Sequence, residues 1–156
     1  MRRKDRAIVD REGLRAIVEK ADACRLAFAV GGTPYIVTLS FGYAWDGDFP
    51  LLYFHCAREG RKLEMMRANP RVCFELDVDH EIKAGTAPCD WTTKFASVVG
   101  YGELREISDA EKRRAGLDLI LRHYGWSGEG SLDPSSLGAT AVLELRVDEI
   151  SGKRKA

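Results

Sequence analysis

The fold is decided by the alternating stretch of residues 24–43, CRLAFAVGGTPYIVTLSFGY. Apolar side chains occupy every second position of residues 26–30, which is the two-residue period of a half-buried β-strand. A Gly-Gly pair then supplies a tight turn, and the alternation resumes in a return strand over residues 35–43. Because two strands joined by so short a turn pair antiparallel, the stretch predicts a β-hairpin within an antiparallel sheet.

Further strands and helices are expected on both sides of this hairpin. Leu14, Ile17, Val18 and Ala21 recur at helical spacing, and Asn69-Pro70 stops a second helix. The predicted strands span residues 24–30, 35–43, 51–56, 71–78, 93–107 and 140–147. Helices are predicted over residues 10–21 and 61–68, and a third begins at a capping box with Ser108 at the N-cap and Glu111 at N3. Loops are predicted at 79–91 and 125–138, and a basic tail from residue 152.

Strands that follow one another directly favour antiparallel pairing, so a parallel βαβ sheet is not expected. The predicted class is therefore mainly β with flanking helices (α+β), arranged as an antiparallel barrel with helices outside. A length of 156 residues fits one domain spanning residues 1–156.

The composition excludes several classes of protein. The 24 basic and 24 acidic side chains cancel, which argues against a nucleic-acid or membrane-surface binder. No apolar run approaches the roughly 18 residues of a membrane-spanning helix, and no secretory signal follows the basic start. The four cysteines form no CxxC pair and no zinc spacing, so we expect a reduced, cytoplasmic protein without a metal site.

The strongest local charge excess lies in residues 58–71, with five basic side chains against two acidic ones. Its first part, residues 57–62, is a strand-to-helix turn, where backbone N–H groups and cations can bind a phosphate. A solvated helix face is the alternative interpretation. His55 directly precedes this turn and is the histidine with the best case for function, whereas His123 ends a helix, where a cation is favoured by the dipole.

The run LYFHCAREGRK (residues 52–62), followed by NPRVCF (residues 69–74), resembles the pyridoxamine 5'-phosphate oxidase-like FMN-binding split-barrel superfamily. Within it, the chain is most similar to the 5-nitroimidazole-resistance (Nim-type) flavoproteins. Other matching pieces are PYIV (34–37), FGY (41–43), WTTK (91–94), SVVGYG (97–102) and ISGKR (150–154).

The resemblance implies a homodimer of split β-barrels with FMN in a groove at the dimer interface. The flavin ring would lie along a strand whose backbone binds its polar edge, and the phosphate would lie at the turn, with a partner strand closing over the ring. The implied cofactor-binding residues are Tyr35, Ile36, Val37, Thr38 and Leu39 on the strand, His55, Ala57, Arg58, Arg61 and Lys62 at the turn, and Ser97 and Val98 from the partner.

The resemblance further implies an FMN-dependent oxidoreductase that reduces small electron-poor substrates such as nitroaromatics, with His55 as the candidate catalytic proton donor. A non-catalytic flavin- or haem-binding carrier or sensor is an alternative, with His55 or His123 as an axial iron ligand. A deazaflavin in place of FMN is another. A pyridoxamine phosphate oxidase-like enzyme is the last, although the Trp- and Arg-containing terminal segments of those oxidases have no match in this chain.

Overall fold

The computed structural model describes residues 4–128 and 138–155, which form eight β-strands and three α-helices. The strands are β1 (Ala7–Ile8), β2 (Cys24–Val30), β3 (Thr33–Leu39), β4 (Phe41–Asp46), β5 (Phe49–Ala57), β6 (Arg71–Lys83), β7 (Thr92–Glu106) and β8 (Thr140–Lys155). The helices are α1 (Arg11–Lys20), α2 (Arg61–Ala68) and α3 (Ala110–His123).

All strand pairs are antiparallel, and they form one sheet in the order β3-β2-β6-β7-β8-β5-β4, with the short β1 paired to β8. The two terminal strands, β3 and β4, follow each other in the chain with only Ser40 between them. The sheet therefore curls until its two edges approach at Ser40 without closing. This arrangement confirms the predicted mainly antiparallel class with flanking helices.

The core lies on the inner face of the curled sheet. Four phenylalanines from four different strands are almost completely buried there: Phe28, Phe41, Phe54 and Phe74. Leu63, Met65 and Met66 of α2 and Leu14, Ile17 and Val18 of α1 join the buried set. At roughly 25 cal/mol per Å² of apolar surface, burial of these side chains is the main stabilising contribution to the fold.

Helix α3 packs on the opposite face of the sheet, over β4 and β5. The approach is close because β4 carries Gly42 there, where a Cβ atom would lie 2.4 Å from the backbone nitrogen of Ile120. Gly116 makes the same kind of room from the helix side, since a Cβ on it would lie 3.0 Å from the ring of Tyr53. The two glycines thus allow α3 to pack close to the sheet.

Several predicted boundaries are wrong. The return strand predicted over residues 35–43 is two strands, because the chain exchanges β2 for β5 as its pairing partner at Ser40. The predicted loop at 79–91 begins as strand, since β6 continues to Lys83 past a bulge between Val78 and Glu81. The predicted basic tail is the end of β8.

The start of α3 also differs from the prediction. The N-cap is Asp109, whose carboxylate accepts a hydrogen bond from the backbone N–H of Lys112, so the capping box does not start at Ser108. Most of the predicted loop at 125–138 lies outside the described residues.

Candidate functional site

The strand predicted to carry the flavin, β3, is an edge strand whose backbone pairs only with β2. Tyr35, Val37 and Leu39 pack against the core, while Ile36 and Thr38 face solvent, Ile36 with 64% of its surface exposed. Among the described residues, no hydrogen bond joins the free edge of β3 to the rest of the chain. This edge therefore offers backbone N–H and C=O groups to a ligand.

The predicted phosphate turn connects β5 to α2. Gly60 is the N-cap of α2, with a φ of 128° that a side chain would strain. The carbonyl of Gly60 accepts hydrogen bonds from the N–H groups of Leu63 and Glu64. The N–H groups of the two preceding residues, Arg61 and Lys62, are the orphan donors of the first helical turn and lie at its positive end.

Two cations flank this helix start, and neither has an anionic partner among the described residues. The guanidinium of Arg61 lies over the ring of Tyr35, 4.7 Å from its centroid, and the ammonium of Lys62 lies beside the thiol of Cys56. Burial raises the pKa of that thiol, although Lys62 acts in the opposite direction. In residues 4–128 and 138–155, no carboxylate oxygen lies within 4.0 Å of either cation.

The other residues of the turn contribute less. Arg58 donates a hydrogen bond of 2.8 Å to the carbonyl of Gly138, so its guanidinium is already engaged with the chain leading into β8. Ala57, the last residue of β5, is exposed. The structure therefore brings Arg61 to the ring of Tyr35 on the predicted strand and places Lys62 next to Arg61 at the start of α2.

Asn69 also holds α2 against the β2–β3 hairpin, and the sequence analysis missed this function. Its side-chain amide donates to the carbonyl of Ala29 at 3.1 Å, and its side-chain oxygen accepts from the N–H of Arg71 at 3.1 Å. The Asn-Pro pair is an ordinary helix stop in sequence terms, so nothing local signals this contact across 40 residues of chain.

His55 is exposed and lies on the face of β5 turned away from the core, opposite Val142 of β8. On that same face, Tyr53 lies under α3 and its hydroxyl donates to Glu144 at 3.2 Å. Burial and the nearby carboxylate raise the pKa of Tyr53 to about 12. Within the described chain, no hydrogen bond or ion pair joins His55 to the turn or to β3.

Ser97 and Val98 lie in β7, which β2 and β6 separate from β3. Ser97 is half-buried between Asp77 and Lys153 of the adjacent strands. The side chain of Val98 is fully buried in the core and its backbone pairs opposite Leu76 of β6 and Gly152 of β8, so Val98 offers a ligand neither a side chain nor a free strand edge. These two residues are thus distant in strand order from the rest of the predicted site of the same chain.

The remaining predicted ligand, His123, is engaged in packing. Its Nε2 lies 2.6 Å from the carbonyl oxygen of Ala21 and donates to it, and its ring contacts Phe41 and Tyr43. The described residues contain no group of three or more His, Cys, Asp or Glu side chains that could hold a metal ion. No helix in the described ranges has the length and apolar character to cross a membrane.

Three surface cavities, of 560, 440 and 400 Å³, lie elsewhere on the chain. The first two adjoin the end of β8 at Arg154 and Lys155, and the third lies between α3 and the sheet near Tyr53. The predicted site is instead an open strand edge and turn.

The chain is similar in sequence and in fold to proteins of one known family. The model of the family described as pyridoxamine 5'-phosphate oxidase matches residues 10–154. A candidate 5-nitroimidazole antibiotic resistance protein from Bacteroides thetaiotaomicron is 31% identical, with a TM-score of 0.82 over 95% of this chain and 86% of that one.

Two further solved structures share the fold. An FAD-binding protein from Mesorhizobium loti is 26% identical, with a TM-score of 0.66 over 97% of this chain and 98% of that one. The flavocytochrome Anf3 from Azotobacter vinelandii is 21% identical, with a TM-score of 0.81 over 100% of this chain and 72% of that one. The family match and the first structure together decide the assignment. The chain belongs to the pyridoxamine 5'-phosphate oxidase-like family.

Proposed function

We propose that this protein binds FMN, with the phosphate at the turn of residues 57–62 and the flavin ring along β3. One observation carries the proposal: Arg61 and Lys62, which have no carboxylate partner in the described chain, stand at the start of α2, and Arg61 reaches the ring of Tyr35 in β3. The candidate phosphate-binding turn thus lies beside β3, whose outer backbone edge is free among the described residues.

The residues present fit the cofactor chemically. A phosphomonoester needs cations and N–H donors, and the turn supplies Arg61, Lys62 and the first amides of α2. The polar edge of a flavin needs alternating donors and acceptors, and the free backbone edge of β3, from Tyr35 to Leu39, supplies both. The exposed side chains of Ile36 and Thr38 would lie on the outer side of the same strand.

The proposal includes a homodimer. Ser97 would close the site from the partner subunit, with Val98 holding that strand in the core, which accounts for the separation of both residues from β3 within one chain. The outer face of the sheet leaves Ile36 on β3, and Val99 and Tyr101 on β7, exposed, and a partner subunit that covered them would remove apolar surface from water.

The proposed activity is the reduction of small, planar, electron-poor molecules of the nitroimidazole type. The flavin would supply the hydride chemistry. The protein would bind and orient the cofactor through the turn and β3, and the exposed imidazole of His55 would donate a proton to the substrate near neutral pH. Support for this substrate class comes from the 31% identity to the Bacteroides thetaiotaomicron protein.

The test is a binding series on the purified protein with FMN, riboflavin, FAD, a deazaflavin and haem, followed by absorbance, flavin fluorescence and melting temperature. We expect FMN to bind tighter than riboflavin by at least tenfold and to raise the melting temperature, and light scattering to report a dimer. Absence of FMN binding at micromolar concentration contradicts the proposal. A Soret band with haem and no flavin binding would instead support a carrier function, with His55 as the candidate axial ligand, because the Nε2 of His123 donates to the carbonyl of Ala21.

The activity is tested with the FMN-loaded dimer and a nitroimidazole under anaerobic conditions. His55→Ala should slow the reduction while the flavin content stays unchanged, because the proposal assigns the imidazole to the substrate and not to the phosphate. An equal loss of flavin and rate would make His55 a cofactor-binding residue. Oxidation of pyridoxamine 5'-phosphate at a higher rate than nitroimidazole reduction would overturn the proposed substrate class.

A further inference from the structure

We propose that Tyr35 is a positioning residue whose ring holds the guanidinium of Arg61 in place for the phosphate of the ligand. The inference rests on the proposed function, because it assigns to Arg61 the phosphate contact described above. It adds a side-chain function for Tyr35, whose predicted contribution to binding was through the backbone of β3.

Two contacts link the core to the cation, one between Phe28 and Tyr35 and one between Tyr35 and Arg61. Phe28 is 1% exposed and is the direct cross-strand neighbour of Tyr35. The two ring centroids lie 6.1 Å apart with the planes inclined by 38°. The guanidinium of Arg61 lies over the ring of Tyr35, 4.7 Å from its centroid. The ring therefore contacts both a buried core residue and the cation.

Arg61 has no other anchor among the described residues. No carboxylate lies within 4.0 Å of it there, and its side chain is on the exposed surface of α2. An unrestrained arginine of this kind samples many rotamers, and ordering it on binding costs free energy. Stacking on an aromatic face restricts the guanidinium without neutralising its charge, whereas a carboxylate partner would compete with a phosphate.

A second contact holds α2 against the β2–β3 hairpin. The side-chain amide of Asn69, directly after α2, donates to the carbonyl of Ala29 in β2 at 3.1 Å. The helix is thus attached to the hairpin beyond its last residue by Asn69 and at its first residue by the Arg61–Tyr35 contact. The Asn69 hydrogen bond and the buried side chains of α2 do not depend on the ring, so loss of the ring should free the Arg61 side chain and leave the helix in place.

The test compares Tyr35→Leu and Tyr35→Phe by measuring dissociation constants for FMN and riboflavin. An exposed cation–π contact corresponds to an affinity change of roughly two- to fivefold. We expect Tyr35→Leu to weaken FMN binding by that factor and to leave riboflavin binding unchanged, since riboflavin has no phosphate. Tyr35→Phe keeps the aromatic face and should retain most of the FMN affinity.

Each variant is also made in an Arg61→Ala background, where the effect of Tyr35→Leu on FMN should disappear if the ring acts through Arg61. Tyr35→Met, whose unbranched side chain adapts to irregular gaps, replaces the leucine variant if that protein does not fold. Equal weakening of FMN and riboflavin, or tighter FMN binding without the ring, would overturn the inference. If Arg61→Ala itself leaves FMN affinity unchanged, the proposed phosphate site fails. If Arg61→Ala weakens FMN and Tyr35→Leu does not, only the inference fails.

Discussion

Replacing Arg61 and Lys62 together by alanine removes the two cations at the start of α2 that have no carboxylate partner in the described parts of the chain. A hydrogen bond to a charged group contributes about 1.5–3 kcal/mol. Arg61 is exposed and Lys62 half-buried, so the lower end of that range applies to each. Each single variant should therefore bind FMN about tenfold more weakly. Because both side chains address one phosphate, the double variant should lose between about tenfold and about a hundredfold.

The assay is a fluorescence titration of FMN and of riboflavin at two salt concentrations. Riboflavin affinity should change little, and the salt dependence of FMN binding should decrease in the double variant. Arg67→Ala is the matched control, because Arg67 lies in the last turn of the same helix and pairs with Glu106 at 3.5 Å. Unchanged FMN affinity in the double variant, or an equal loss in the control, would refute the assignment of the phosphate to this turn.

Three further predictions concern stability. Gly42→Ala should lower the unfolding free energy by more than about 2 kcal/mol, because the new methyl meets the backbone of Ile120 at 2.4 Å; thermal unfolding measures it. His123→Ala should cost about 1–3 kcal/mol in chemical denaturation, since it leaves the carbonyl of Ala21 without its 2.6 Å donor. The pKa of the Tyr53 hydroxyl is raised to about 12 in the folded protein. This shift stabilises the folded state below pH 10, and the stabilisation should be lost as the pH rises from 10 to 12.

The controls for these experiments come from the same chain. Gly138→Ala introduces a methyl with nothing within 4 Å, so its melting temperature should match the parent protein. His55→Ala removes an exposed side chain and should change stability by less than about 0.5 kcal/mol. Tyr53→Phe should flatten the alkaline part of the stability curve. Identical curves for this variant and the parent would show that another group causes the decline.

The alternation around the Gly-Gly turn was sufficient to predict the first hairpin, because one face of each strand packs on the core. It could not reveal the break at Ser40, since Leu39 and Phe41 keep their inward orientation across it while the strand partner changes. Residues 79–83 were missed for the opposite reason: β6 continues there with mostly exposed side chains, so no period marks the strand.

The candidate site likewise has features that the sequence predicts and features that depend on the tertiary fold. The charge excess and strand-to-helix junction of residues 57–62 are local features, and the sequence was enough to place cations at the start of α2. The contact between Arg61 and Tyr35 joins residues far apart in the chain, and only the tertiary packing of α2 on the hairpin creates it. The separation of Ser97 from β3 is likewise a consequence of sheet order, which local patterns do not encode.

The central claim is that one phosphate is bound between the start of α2 and the edge of β3. A crystal structure of the protein grown with FMN tests it most directly. We predict phosphate density within hydrogen-bonding distance of the side chains of Arg61 and Lys62, with the ring system beside the backbone of Tyr35 to Leu39. FMN bound instead in the cavity beside Tyr53 or at the end of β8, with the turn of residues 57–62 free of ligand, would contradict the account.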